Sequence, residues 1–196
     1  TVTVEPSPNV AATPSSDDLC DGETAKIALS TPNGVDMTTG GYTWSLVGLT
    51  NITGASAQGV PVSGPISQTL DLTVSTLAGQ VTYRIFPESS AGCGGLPIDV
   101  LVNVSPIPQA VASDETICSG TSSNVVISEL NTLSGTTYDW VVTNVSNVSG
   151  AADGSGGVIS QLLSSTDGVT SGSVDYEITA SRNGCSQAAV TVITVT

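Results

Sequence analysis

The chain has 196 residues, of which 17 are acidic, three are basic and none is histidine. Without histidine it lacks the imidazole on which most nucleophilic hydrolases and many metal sites depend. A formal net charge of -14 with three basic residues cannot neutralise a row of phosphates, which excludes nucleic acids and anionic membrane surfaces as partners. Hydrophobic residues make up 39% of the chain, enough for a core, but polar residues interrupt every apolar stretch, so no membrane insertion is expected.

Short segments of alternating apolar and polar residues predict β-strands along the whole chain. In the first half they cover residues 26–30, 41–49, 69–75, 81–85 and 99–104, and in the second half 124–128, 138–143, 174–178 and 190–195. The alternation places one tryptophan and one tyrosine of each half on an apolar face: Trp44 and Tyr83, then Trp140 and Tyr176. No segment has a helical period. The sequence therefore predicts an all-β chain of antiparallel, immunoglobulin-like β-sandwiches with these four aromatic side chains in the cores.

The sequence repeats itself with a period of close to 100 residues. Val2-x-Val4-x-Pro6-x-Pro8 returns as Val102-x-Val104-x-Pro106-x-Pro108, and shorter matches follow in the same order as far as Gly92-Cys93 and Gly184-Cys185. Two copies of one domain are thus predicted at residues 1–105 and 106–196, with residues 1–5 as the possible end of a preceding repeat. Because two prolines spaced by one residue cannot both join a strand ladder, they favour a stiff connector and an extended rod.

Four cysteines allow three pairings, and the repeat favours one of them. The bonds Cys20–Cys93 and Cys118–Cys185 give both copies the same internal bridge, whereas the other two pairings must cross the domain boundary. Closing a loop of this length removes about 4 kcal/mol of unfolded-state entropy. A structural disulfide in each copy is the leading prediction, with a metal or redox role of the cysteines as the alternative. Persistent disulfides imply an oxidising compartment.

The order and spacing of several motifs resemble a known family. These motifs are the V-x-V-x-P-x-P junction and the segments 117–120 (ICSG), 135–140 (GTTYDW), 159–161 (ISQ), 174–178 (VDYEI) and 183–185 (NGC). Over essentially its whole length the chain resembles the PKD-like, immunoglobulin-like repeats of very large surface adhesins of gliding and biofilm-forming Gram-negative bacteria. The resemblance implies display at the bacterial cell surface, often after export by the type IX pathway, as stalk units that sometimes support gliding. The first copy departs through longer loops at 58–65 and 91–97, and neither copy carries the W-D-F-G-D-G stretch of typical PKD domains.

The densest group of carboxylates consists of Asp17, Asp18, Asp21 and Glu23. Calcium binds oxygen ligands of this kind and stiffens many tandem surface modules, so this group is a candidate calcium site. The second copy has Ser119 and Thr121 in place of Asp21 and Glu23. Since one copy lacks these ligands, a solvated acidic loop is favoured, and neither a metal nor another cofactor is expected.

Other sites receive less support. Carboxylate pairs can act as acid and base, but the acidic residues fall in turns and on polar strand faces, so no catalytic residue and no enzyme activity are predicted. The two tryptophans could form a sugar platform, but their alternation with aliphatic residues favours burial. The sequons at Asn51, Asn103, Asn144 and Asn147 match the N-glycan acceptor pattern. In a bacterial surface protein we do not expect them to carry N-glycans.

The leading functional hypothesis is structural: two consecutive stalk modules of a long extracellular adhesin, with neighbouring repeats of the same polypeptide as partners. The alternative is a binding module whose loops, at one end of a sandwich, recognise a glycan or a protein receptor. A binding module should have an enlarged loop that bears aromatic residues. The long 58–65 loop has none, which favours the stalk.

Overall fold

The computed structural model is built from β-strands and describes residues 1–14, 18–186 and 191–195, the last five through their backbone. Over these residues the chain contains no helix long and apolar enough to cross a membrane. It forms two compact units, Thr1–Pro106 and Ile107–Thr196, with a boundary one residue from the predicted one. Each unit has its own buried core. The predicted all-β, immunoglobulin-like class is confirmed.

Unit 1 forms two sheets. The strands described in it are β1 (Ala11–Pro14), β2 (Asp18–Cys20), β3 (Thr24–Ser30), β4 (Gly41–Thr50), β5 (Ile52–Thr53), β6 (Gln58–Val62), β7 (Ile66–Thr69), β8 (Asp71–Leu72), β9 (Gly79–Glu88) and β10 (Ile98–Ser105). One sheet has the order β1-β3-β7 and the other β2-β10-β9-β4-β6, while β5 pairs with β8. Among these ladders only β2 with β10 is parallel, and it places Cys20 opposite Ser105.

The alternation along β9 shows why these sheets pack together. Val81, Tyr83 and Ile85 are fully buried, whereas the residues between them face outward. The facing sheet contributes Ile27 and Ile66, which are also fully buried. Burying a side chain of this size stabilises the fold by about 1.5–3 kcal/mol. The two sheets are therefore held together by one shared apolar layer.

Unit 2 keeps two ten-residue central strands, as in unit 1, but its other strands are mostly short. The strands described in it are β11 (Ala110–Val111), β12 (Thr121–Ser122), β13 (Val125–Val126), β14 (Ser128–Glu129), β15 (Thr137–Ser146), β16 (Val148–Ser149), β17 (Gly154–Ser155), β18 (Val158–Ile159), β19 (Leu162–Ser165), β20 (Ser173–Arg182), β21 (Cys185–Ser186) and β22 (Thr191–Val195). The main sheet has the order β17-β15-β20-β21, and β22 also pairs with β20. The remaining strands form the small ladders β11-β14, β12-β19-β16 and β13-β18.

Two predicted strands are interrupted in the structure. Within 69–75, Leu70 leaves the ladder because its N–H donates to the carbonyl of Glu23 and its own carbonyl accepts from Gly22. Within 124–128, Ile127 donates its N–H to the carbonyl of Gly157. The segment 58–65, expected as a loop, contains β6, which pairs with β4. In the predicted 190–195 strand, residue 190 lies outside the described residues.

Unit 1 has two opposite ends, and the chain enters at one and leaves at the other. At the N-terminal end, the chain passes so close to the turn before β10 that a Cβ on Gly95 would lie 1.8 Å from the carbonyl oxygen of Pro8. At the C-terminal end, β10 finishes at Ser105. The ten-residue strand β9 runs between these ends, which are therefore about 30 Å apart.

Unit 2 has the same two ends. Asn131 Nδ2 donates to the carbonyl oxygen of Ile107 (3.0 Å), and in the same loop Ser134 accepts from Arg182 Nε (2.9 Å). The N-terminal end of unit 2 is therefore the end where β20 finishes. Strand β22 finishes at Val195, opposite Val174 near the start of β20, so the chain leaves this unit at the other end.

Candidate functional site

The core tryptophan and tyrosine of unit 1 are joined through one glutamine. Tyr83 Oη donates to Gln68 Oε1 (2.9 Å), and Trp44 Nε1 donates to the carbonyl of Ser56 (2.9 Å). Gln68 closes the group, because its Oε1 accepts from the N–H of Ser56 (3.0 Å) and its Nε2 donates to the Ser56 carbonyl (2.9 Å). We call this set of four residues, with its unit 2 equivalent, the Trp-Gln-Tyr staple.

Unit 2 contains the same staple, made of Trp140, Ala152, Gln161 and Tyr176. Tyr176 Oη donates to Gln161 Oε1 (2.6 Å), and Trp140 Nε1 donates to the carbonyl of Ala152 (3.3 Å). The glutamine again binds both backbone groups of the residue on the loop. Because Ser56 and Ala152 take part through their backbones, that position needs no particular side chain.

All four aromatic residues of the staples are buried, with Tyr83 and Tyr176 fully so. Burial raises the pKa of Tyr83 to about 12 and also raises the pKa of Tyr176. Both phenols therefore remain neutral donors near neutral pH, and their hydroxyls are satisfied by the glutamines. The alternation in the sequence predicted the buried aromatic residues but not the role of the glutamines. The signal was present, since each glutamine precedes its tyrosine by 15 residues.

The acidic residues considered as calcium ligands are used for hydrogen bonds in unit 1. Asp21 Oδ1 accepts from the N–H of Leu72 (2.7 Å), and Glu23 Oε2 accepts from the N–H of Cys20 (2.8 Å). Asp18 Oδ1 accepts from the side-chain amide of Asn103 (3.0 Å). Asp17 lies outside the described residues. Among the described residues, no group of three or more histidine, cysteine, aspartate or glutamate side chains is placed to hold a metal ion.

Unit 2 explains why these positions can lose their charge. Ser119, which replaces Asp21, accepts through its Oγ from the N–H of Ser165 (2.9 Å). Thr121, which replaces Glu23, donates its hydroxyl to the carbonyl of Cys118 (2.6 Å). The hydrogen bond to the neighbouring strand is therefore kept while the carboxylate is replaced. These positions therefore close a turn in both units.

The predicted cysteine pairing is wrong for this structure. Cys93 and Cys118 are free thiols, whereas Cys20 and Cys185 are disulfide-bonded. Neither the Cys20–Cys93 bond nor the Cys118–Cys185 bond is therefore formed.

The physical reason in unit 1 is distance along the sheet. Cys20 lies opposite Ser105, at the C-terminal end. Cys93 lies at the N-terminal end, in the turn between β9 and β10, where its N–H donates to Ser89 Oγ (3.1 Å). The length of β9 keeps the two cysteines about 30 Å apart, at about 3.3 Å per residue. A disulfide requires Cα atoms within about 7 Å.

Unit 2 separates its cysteines in the same way. Cys185 lies opposite Arg182, where β20 finishes. Cys118 lies at the other end, in a cleft that it shares with Gly172, immediately before β20 begins. The repeat correctly identified which cysteines are equivalent. That two cysteines occupy equivalent positions in the two repeats does not mean that the two cysteines within one repeat are close together.

The cleft beside Cys118 has a volume of about 330 Å³ and a mixed lining that includes Ile117, Val148, Leu163 and Val169. One wall is the loop at 167–170, which is held in place by Asp167. The Thr170 hydroxyl and the N–H groups of Val169 and Thr170 donate to this carboxylate and lower its pKa. Val169 is 88% exposed. The cleft is therefore a preformed, partly apolar surface at the C-terminal end of unit 2.

The asparagines of the four sequons hold backbone or side-chain partners. Asn51 and Asn147 have left-handed backbones, with φ of 53° and 51°, and their amides donate to the loops that follow β8 and β19. Asn103 donates to Asp18 and Asn144 to Asp175. These side chains therefore have a structural role, in turns for Asn51 and Asn147 and between neighbouring strands for Asn103 and Asn144.

A family model described as a PKD-like domain matches residues 17–108 and again residues 115–196. The search of curated proteins gave no match. Among solved structures, the chain is similar to an I-band fragment of titin, with 16% identity and a TM-score of 0.43 over 98% of this chain and 66% of that one.

Two bacterial structures are similar to the chain as well. The Escherichia coli adhesin FdeC is 15% identical, with a TM-score of 0.44 over 99% of this chain and 66% of that one. The Yersinia pseudotuberculosis adhesin InvE is 14% identical, with a TM-score of 0.32 over 95% of this chain and 58% of that one. The chain thus spans less than two thirds of the length of each of these structures.

Proposed function

The chain belongs to the PKD-like domain family, and from this premise we propose that its two units are load-bearing stalk modules of a large extracellular bacterial adhesin. The partners of each unit are neighbouring repeats of the same polypeptide. The proposal includes display at the bacterial cell surface. It also adopts the gliding or biofilm setting and the type IX export that the sequence resemblance implies.

The observation that carries this proposal is the position of the chain ends in each unit. Because the chain enters and leaves at ends about 30 Å apart, tension on the chain acts along the strands. In unit 1 the early strand β2 is parallel to the final strand β10. Pulling the two termini apart then shears the β2-β10 ladder, so that its hydrogen bonds share the load instead of breaking one after another.

The Trp-Gln-Tyr staple supports the same role. Gln68 lies on β7 in one sheet of unit 1, and Tyr83 lies on β9 in the other. Their hydrogen bond therefore links the two sheets across the core, and unit 2 repeats the bond between Gln161 and Tyr176. A link of this kind opposes sliding of one sheet over the other.

Single-molecule force spectroscopy of the whole chain in a reducing buffer tests the proposal. We expect one discrete unfolding event for each unit, and the event of unit 1 should lengthen the chain by more than about 30 nm. Smooth extension without such events would reject a load-bearing role.

A matched variant tests the shear ladder itself. Leu19→Pro removes a backbone donor from the middle of β2, so it should lower the unfolding force of unit 1 and leave that of unit 2 unchanged. Unit 2 is the internal control in the same molecule. Equal forces for unit 1 with and without the proline would show that the β2-β10 ladder does not carry the load.

A further inference from the structure

One free thiol lies at the N-terminal end of its unit, and the other lies at the C-terminal end of its unit. Cys93 is at the N-terminal end of unit 1, in a turn fixed by the hydrogen bond from Ser89 N–H to its carbonyl (3.0 Å). Cys118 is at the C-terminal end of unit 2, in the cleft described above. Cys118 is exposed and Cys93 is half-buried. Both thiols are therefore accessible to another molecule, and neither can reach a cysteine of its own unit.

The repeat supplies a second observation about these two positions. Cys20 is the counterpart of Cys118, and Cys185 is the counterpart of Cys93. Both counterparts are disulfide-bonded, although each lies about 30 Å from the other cysteine of its own repeat. Cysteines at these two positions therefore do form disulfides, although not with the other cysteine of their own repeat.

We propose that Cys93 and Cys118 form disulfide bonds with neighbouring repeats of the same kind: the cysteine at the C-terminal end of one repeat bonds the cysteine at the N-terminal end of the next. In a tandem array the chain leaves a repeat at its C-terminal end and enters the next at its N-terminal end. Connectivity thus brings together the two ends that carry complementary cysteines. The inference rests on the tandem-repeat role proposed above.

The shape of the two ends favours this pairing. The N-terminal end presents a turn, which in unit 1 contains the left-handed Gly92 immediately before Cys93 and in unit 2 the left-handed pair Asn183 and Gly184 immediately before Cys185. The C-terminal end presents a cleft of about 330 Å³ that contains the other cysteine. A turn that enters the cleft would bury apolar side chains such as Val169, which is exposed in this structure. The cleft is therefore proposed as the seat for the cysteine-bearing turn of a following repeat.

The bond requires a disulfide oxidant, for which oxidised glutathione serves in the test. The Cys118 thiolate attacks one glutathione sulfur, forms a mixed disulfide and releases one glutathione thiolate. The Cys93 thiolate of a second copy then attacks the Cys118 sulfur and releases the second glutathione. Two protein thiols and one oxidised glutathione thus give one protein disulfide and two reduced glutathiones.

Two single variants test the pairing with second copies of the chain. Cys93→Ser leaves Cys118 as the free thiol, and Cys118→Ser leaves Cys93. We expect a mixture of the two variants to form the crosslinked dimer about tenfold faster than either variant alone, since only the mixture allows docking of unlike ends. The experiment uses at least 0.15 M salt, because two acidic copies repel each other at low ionic strength. The wild type should form linear oligomers joined by Cys93–Cys118 bonds.

A third variant separates docking from thiol chemistry. Val169→Asp adds a charge at the cleft but keeps all cysteines, so it should slow crosslinking in the mixture without slowing the reaction of Cys118 with a small disulfide reagent. The proposal would be overturned if the mixture of the two variants crosslinked no faster than either variant alone. A Cys20–Cys93 or Cys118–Cys185 bond within one chain would also overturn it. An unchanged rate for Val169→Asp would remove the cleft from the proposal. None of these outcomes alters the unfolding forces measured in reducing buffer, so the stalk role succeeds or fails separately.

Discussion

The two units share one hydrogen-bonded group in their cores but differ in the continuity of their strands. Unit 1 has a continuous seven-residue β3, whereas the corresponding part of unit 2 is divided into β13 and β14. The Trp-Gln-Tyr staple, in contrast, has the same hydrogen bonds in both. The comparison teaches that the glutamine and tyrosine that link the two sheets are kept, whereas a turn position that accepts one hydrogen bond, such as Asp21 and its counterpart Ser119, can change. Surface positions exchange residues freely.

The turn after β5 and its counterpart after β16 keep the same residue, a glycine, in both units. Gly54 and Gly150 have φ of +87° and +98°, and a Cβ on either would lie 2.1 Å from the carbonyl oxygen of Thr69 or Leu162. No other residue fits such a position without moving backbone. Effects of substitution should therefore be large and equal in both units at core positions, and small at surface positions.

The largest expected effect comes from removing a core tryptophan. Trp44→Ala and Trp140→Ala should each destabilise one unit by about 3–5 kcal/mol, because each leaves a large cavity. Scanning calorimetry in a reducing buffer should show one transition moving to lower temperature and the other staying in place. Val141→Ala, at an exposed neighbouring position, is the control. If one substitution shifted both transitions equally, the two cores would not be independent.

The glutamine of the staple should give the next largest effect. Gln68→Ala and Gln161→Ala each leave a buried tyrosine hydroxyl and one backbone N–H without their partner, at a cost of about 1–3 kcal/mol, while the backbone carbonyl keeps its bond from the tryptophan. Chemical denaturation of each variant measures the loss. Gln58→Ala is the matched control, since the Gln58 amide donates to the carbonyl of Val60, two residues away on the same strand. A loss no greater than that of the control would mean that water replaces the glutamine without penalty.

The sequence predicted the long central strands well, because their burial alternates strictly. Val81, Tyr83 and Ile85 are one such set. It failed for Leu70, which is fully buried but binds the turn at Gly22 instead of a strand. Periodicity reports burial and cannot report which backbone groups a residue binds.

The cysteines show a second limit. The repeat established that Cys20 matches Cys118, but the position of each cysteine along its sheet depends on the parallel β2-β10 pairing. That pairing joins segments more than 80 residues apart, since Asn103 binds Asp18 across 85 positions. Neither composition nor periodicity carries such information, so the bridge was placed within a repeat that holds its cysteines at opposite ends.

A smaller effect is expected from pH. Because the pKa of Tyr83 is raised to about 12 in the folded state, against about 10 in the unfolded chain, the folded state holds its proton more tightly. The resulting stabilisation is complete below pH 10 and is lost as the pH rises from 10 to 12. Urea denaturation of unit 1 between pH 8 and about 11.5 should show this fall, and Tyr83→Phe should reduce it. A fall of the same size in Tyr83→Phe would assign the pH dependence to other groups.

The smallest effect is expected where the two units carry opposite charges at equivalent positions. Arg84 binds Asp99 through two hydrogen bonds, of 2.8 and 2.7 Å, and unit 2 has Glu177 at the position of Arg84. Both partners are more than 40% exposed, so water and salt screen the pair. Arg84→Gln should lower the melting temperature of unit 1 slightly, and Arg84→Glu slightly more, because it places two carboxylates side by side. In 1 M salt, where charges are screened beyond about 3 Å, the two variants should melt together. If both variants still melted below the wild type in 1 M salt, Arg84 would contribute packing to the sheet as well as charge, and a difference between the two variants that persisted there would contradict the charge explanation.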